Sequence, residues 1–189
     1  MNNTQPLSKI DTKYLILEEI SEADLYGIID LRTKKKDNHL TPINASIDAQ
    51  LEYFNKYKIR RANGIEVYYK IINKAQPKII TGLVRLTEIS TPDKFSWESL
   101  IVVDGSPPYI SLDAMMTIYR IGFERLDKKS CGPWTIPINA NTVLNLHKKV
   151  GMASEISRDN EAYYMVVSRE AFLKRYDFFR KLGYGLYNI

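Results

Sequence analysis

The chain has 189 residues, 44% hydrophobic and 26% charged, a balance that suits a globular domain able to bury its own core. Lys and Arg number 27 against 22 Asp and Glu, a diffuse excess of five that suits a polyanionic small ligand and argues against nucleic acid as a partner. The single cysteine, Cys131, excludes an internal disulfide, and with no Cys/His cluster, no signal-peptide core and no membrane-length apolar run the expectation is a cytoplasmic, metal-free protein.

Residues 1–11 read as a loose polar tail. The run KYLILEEI, residues 13–20, reads as a first strand, and Ser21 as the N-cap of a helix to about Arg32, with Asp24 closing a capping box. TKKKDNHLTPI, residues 33–43, is a basic loop. A second helix is expected over residues 46–58, where Ile47, Leu51, Phe54 and Tyr57 recur at helical spacing. Three strands follow as a meander over residues 65–73, 78–89 and 96–103, with Gly82 marking a bulge or a close backbone approach.

The stretch from Ser96 to Met152 organises the rest. An apolar strand, residues 96–103, runs into the turn-rich loop DGSPPYIS and then a helix over 112–126 with Ser111 as N-cap. Strand 134–138 and the helix NANTVLNLHKKVGM, residues 139–152, complete it. The amides of a helix start lack intrahelical partners and face a positive dipole end, so the loop before residue 112 is a place for an anion. A last strand, residues 162–167, leads through the N-cap Ser168 to a C-terminal helix and tail, residues 169–189, whose apolar stripe docks on the body.

This strand, loop, helix, strand and "N…VLNLHKKVGM" succession resembles the cofactor half of the GNAT superfamily of acyl-CoA-dependent N-acyltransferases. Leu146, His147, Lys149, Gly151 and Met152 match the family's "L-(Y/H)-x-K-x-G-F" ending in place, while Asn139 and Asn141 straddle the position of its asparagine. The loop departs from the family's "(Q/R)-x-x-G-x-(G/A)": Ser106 to Ser111 hold no glycine and two prolines, a form similar to that of branches acylating amino sugars in surface-polysaccharide pathways.

The resemblance implies a mixed α/β fold over residues 1–189 as a single acyltransferase domain, with a central, mostly antiparallel twisted sheet and helices on both faces. It implies acetyl-CoA as co-substrate, held by Leu100, Ile101 and Val102 on a splayed central strand, by Tyr109, Ile110 and Ser111 of the loop, and by Asn139 or Asn141. His147 stands where the family commonly has the tyrosine that protonates the leaving thiolate; an imidazole of ordinary, near-neutral pKa serves that role, though a merely packed histidine is an equal reading. Glu98 shares a strand face with Leu100 and is the candidate general base, against the plainer reading of a solvent-facing glutamate. Arg32 and His39 border the acceptor side.

Cys131 lies just before a strand and reads as inert. No activated Ser or Cys is evident, so transfer would be direct. The chain holds no P-loop, no dinucleotide glycine fingerprint and no H-E-x-x-H, which removes kinases, dehydrogenases and zinc hydrolases of those types. The expected partner is a small-molecule amine, with a nucleotide-linked amino sugar favoured and a homodimer left open. Acetylation of a protein N-terminus or small amine, and a non-catalytic GNAT-like binding module, are the alternatives.

Overall fold

The computed structural model describes residues 5–35 and 43–187. Eight strands form a sheet in the order β1-β2-β3-β4-β5-β6-β8-β7. β1 (Lys9–Asp11) and β2 (Leu15–Glu19) open it, β3 (Val67–Asn73), β4 (Ile80–Thr87) and β5 (Lys94–Val102) form the meander, and β6 (Ser130–Pro137), β7 (Ser154–Arg158) and β8 (Ala162–Ser168) complete it. Every neighbouring pair is antiparallel except β5 and β6. Two elements differ from the sequence reading. The supposed tail contributes β1, because Ile10 is buried on the sheet. β7 was missed, since SEISR is short and shows no apolar alternation.

Helices cover both faces. α1 (Leu25–Lys34) and α2 (Ile47–Ala62) pack Leu25, Ile28, Leu31, Phe54 and Tyr57 on Tyr68, Leu83 and Ile101. On the opposite face α3 (Pro108–Arg120) and α5 (Arg169–Lys181) meet Val67, Tyr69 and Ile71, the other half of the β3 alternation. α4 (Asn141–Val150) lies beside β6. The expected caps form: Asp24 accepts from the Ser21 N–H at 2.7 Å, and Ser168 Oγ accepts from the Ala171 N–H at 3.1 Å.

α3 starts four residues earlier than expected, at Pro108, with Pro107 as its cap residue. Proline at the first helical position costs nothing, because that N–H would be orphaned anyway and φ is already set. Ser111 therefore sits inside the helix. The helix then widens into a single π turn over Ile121–Arg125. Gly82 makes the close approach its position implied: a Cβ there would stand 2.3 Å from the Ile101 carbonyl oxygen.

In the π turn, Gly122 receives the ring of Phe95, and a Cβ at this glycine would lie 2.1 Å from the ring. Phe95 is the last β5 residue paired to β6, so this contact fixes where the two strands begin to part. Gly122→Ala is expected to cost about 2 kcal/mol through overpacking, measured as a lowered urea midpoint with unchanged m-value.

Candidate active site

β5 and β6 pair in register only at Lys94 with Ser130 and Phe95 with Cys131, and then diverge. Both strands carry irregularities just beyond: β6 shifts register against β8 between Cys131 and Trp134, and β5 bulges against β4 between Glu98 and Ile101. The bulge holds Ser99 at φ 55°, a left-handed conformation that non-glycine residues rarely adopt. Between the parted strands and α4 lies a cleft of about 280 Å³ lined by Trp97, Glu98, Ser99, Leu100, Trp134, Ile136, Ala140, Val143, Leu146 and His147.

The apex of the cleft is aromatic. Trp97 and Trp134 approach with ring centroids 5.4 Å apart, and the Trp134 indole N–H donates to the Trp97 carbonyl at 3.1 Å. A side chain thus replaces the ladder bond that β6 no longer supplies. His147, on α4, lies 5.8 Å from the Trp97 ring and 5.0 Å from the Trp134 ring. It is 4% exposed, and burial pushes its pKa down to about 4. The near-neutral titration expected from sequence is therefore corrected: at neutral pH this is an uncharged imidazole, with one N–H donor and one acceptor nitrogen.

Glu98 lines the cleft with its carboxylate half exposed, and it accepts a hydrogen bond from Arg85 of β4. The Arg85 guanidinium also donates to the Tyr53 hydroxyl of α2 at 3.0 Å. Behind it the buried carboxylate of Glu66 accepts from Arg60 at 3.0 Å and lies 3.8 Å from Arg85. Arg32 lies outside the cleft lining on the same sheet face, against the Tyr68 hydroxyl. His39 lies outside the described residues.

The other expected contacts divide. Leu100 faces the cleft, whereas Ile101 is buried under α1 and α2, and with Val102 borders a separate groove beneath α1. The bulge explains this, because one extra residue in β5 changes which side chains reach each side. Tyr109 packs at a tilt against Tyr14, ring centroids 5.2 Å apart, and its hydroxyl meets Asn73, while Ile110 is wholly buried in the core. Those two side chains are committed to packing. Ser111 is half-buried within α3 rather than at its cap, and Pro108 removes one amide from the helix start. The turn before it closes through the Ser106 N–H to Val103 carbonyl bond at 3.1 Å, with Gly105 at φ 78° and open space where its Cβ would be.

Asn139 and Asn141 are both exposed and fall outside the cleft lining, on either side of Ala140, which belongs to it. Cys131 is part of β6 rather than before it, fully buried, and burial drives its thiol pKa well up. Trp97, Trp134, Ser99 and Arg85 were missed from sequence. The two tryptophans read as ordinary strand residues, and nothing local marks Ser99 as left-handed. Among the described residues no group of three or more His, Cys, Asp or Glu could hold a metal ion, and no helix is long and apolar enough to cross a membrane.

No protein-family model matches the chain, and no curated protein sequence matches it. Solved structures do. The apo form of FdhC, a nucleotide-linked sugar GNAT, superposes with a TM-score of 0.79 at 24% identity, covering 95% of this chain and 99% of that one. Mutant forms of the spermidine/spermine N-acetyltransferase SpeG from Vibrio cholerae superpose with a TM-score of 0.68 at 17% identity, covering 86% of this chain and 98% of that one. The chain has the GNAT fold, with its mixed α/β, mostly antiparallel sheet.

The burial of His147 has a consequence for stability. Its pKa is 6.5 in the ordinary state and about 4 when folded, so between those values the unfolded chain binds the proton more readily and stability falls as pH drops. Lowering pH from 7.5 to 5 is expected to cost the wild type about 2 kcal/mol more than His147→Phe. Urea denaturation of both proteins at the two pH values measures that difference.

Proposed function

We propose that the protein is an acetyl-CoA-dependent N-acetyltransferase that acylates the primary amine of a nucleotide-linked amino sugar by direct transfer. The observation that carries this reading is the parting of β5 from β6, which leaves an open strand edge beside a bulge at the floor of a narrow cleft. An extended pantetheine arm fits such an edge, since β5 from Trp97 onward has no ladder partner in β6. The likeness to FdhC favours a nucleotide-linked sugar as acceptor.

Direct transfer requires little: a polarised thioester carbonyl, an oriented amine, a route for its proton and a stabilised leaving thiolate. The backbone at Ser99 and Leu100 is the candidate for the first task. Glu98, at the cleft wall, would orient the amine and take up its proton. The neutral His147 imidazole would donate a hydrogen bond to the departing thiolate, which takes its proton from solvent, and would not act as a preformed imidazolium. A covalent acyl-enzyme is disfavoured, because Cys131 is fully buried with its thiol held protonated. For the diphosphate of the co-substrate, the open Gly105 turn and the positive end of α3 are the candidates. Acylation of a polyamine is the second reading, favoured by the likeness to SpeG.

A thermal-shift titration with acetyl-CoA tests the first half. At about a hundredfold its dissociation constant the ligand should stabilise the fold by roughly 2.7 kcal/mol, and Val143→Trp, which fills the cleft, should abolish the shift. The second half is tested by free-thiol release from acetyl-CoA with a nucleotide-linked amino sugar and with spermidine. His147→Phe should lower turnover on the order of 100-fold. No shift with acetyl-CoA defeats the reading, and turnover with spermidine alone replaces the acceptor.

A further inference from the structure

Behind Glu98 runs a row of alternating charges on the α1/α2 face of the sheet. Arg60 near the end of α2 donates to Glu66 at 3.0 Å; Glu66, buried, lies 3.8 Å from Arg85; and Arg85 donates to Glu98 at the cleft. Tyr53 adds a third support, accepting from Arg85 at 3.0 Å while its ring lies 5.5 Å beneath the Arg60 guanidinium. Such a row is weak as a source of stability: desolvating these ions costs about as much as their attraction returns, and apolar replacements of similar volume are often neutral or stabilising. Its end point is informative. Arg85 with Glu98 is the last regular β4–β5 pair before the register shifts at the bulge, so the carboxylate held by Arg85 belongs to the residue immediately preceding Ser99.

We infer that Glu66 and Arg85 are positioning residues for Glu98, fixing its carboxylate at the cleft wall where the acceptor amine must be oriented. This rests on the transferase reading and deepens it: Arg85 and Glu66 act through Glu98 and do not touch the reacting atoms. Glu98 alone is an exposed glutamate with several accessible rotamers; Arg85, clamped between Tyr53 and Glu66, offers it one geometry. The acceptor chemistry this arrangement suits is a primary amine that arrives as an ammonium, since the carboxylate presented to the cleft is its counter-charge.

The test uses the full chain with acetyl-CoA as donor and, as acceptor probes, a nucleotide-linked amino sugar and spermidine. Glu98→Gln and Arg85→Ala should each lower kcat on the order of 100-fold, and the double variant should be no worse than Glu98→Gln alone, because both remove one function. Glu66→Gln should lower kcat while leaving the acetyl-CoA thermal shift unchanged, and Arg85→Lys should restore part of what Arg85→Ala loses. Arg60→Gln, nearer the surface, serves should Glu66→Gln fail to fold. Crystal structures of the wild type and Glu66→Gln give a readout that needs no turnover: the Arg85–Glu98 pair should be ordered in the first and released in the second. Additive losses in the double variant, or an Arg85–Glu98 pair and kcat unaffected by Glu66→Gln, would overturn the inference. Failure of the wild type to bind acetyl-CoA would instead overturn the transferase reading beneath it, and the two failures are distinct.

Discussion

The separation of two parallel strands is the constraint on which the site depends. A sheet gains by continuing its ladder, so strands that pair twice and then part must be driven apart and their freed backbone groups provided for. Both needs are met by large rings. Phe95 is locked into the space over Gly122, which sets the point of divergence, and Trp97 and Trp134 fill the widening gap. The Trp134 indole then satisfies the first orphaned carbonyl, and the bulge at Ser99 turns the next stretch of β5 toward the cleft.

The imidazole of His147 is a product of the same packing. Two indoles and the end of α4 leave no room for a hydration shell, so the ring stays neutral where an exposed histidine would be partly charged. In the proposed reaction that neutrality is compatible with donating a hydrogen bond to a leaving thiolate and incompatible with a stored proton. Burial thus selects among the roles that the residue type alone leaves open.

Much of the architecture was legible in the sequence: the meander from β-branched and aromatic runs separated by turn residues, and α2 and α5 from apolar residues at helical spacing. The "LNLHKKVGM" segment fell on α4 with His147 facing the cleft. What escaped was non-local. β1 is too short to announce itself, and becomes a strand only because β2 offers an edge. The start of α3 was misplaced because Ser111 is a better cap by chemistry, yet Pro107 and Pro108 already have the dihedral angles of a helix entry. The bulge at Ser99 is a register mismatch between β4 and β5 that nothing local in the sequence marks, and beyond it Leu100 lines the cleft while Ile101 and Val102 border the groove beneath α1.

The two faces of the sheet differ in character, and the difference bears on how the reactants would meet. The α3/α5 face is largely apolar, with Phe95 edge-on to Phe123 and Tyr119, Phe123, Phe172 and Tyr176 stacked in succession, and its buried carboxylate, Asp113 of α3, accepts from the Thr12 hydroxyl and the Gly185 N–H. The α1/α2 face is apolar under α1 but carries the Arg60, Glu66, Arg85 and Tyr53 cluster toward the cleft. Charged groups are tolerable there because they answer one another and because the cleft admits water at Glu98. In the proposed reaction the acceptor amine would approach from that side, where Glu98 is half exposed, while the filled α3/α5 side is the floor against which the strands are held apart.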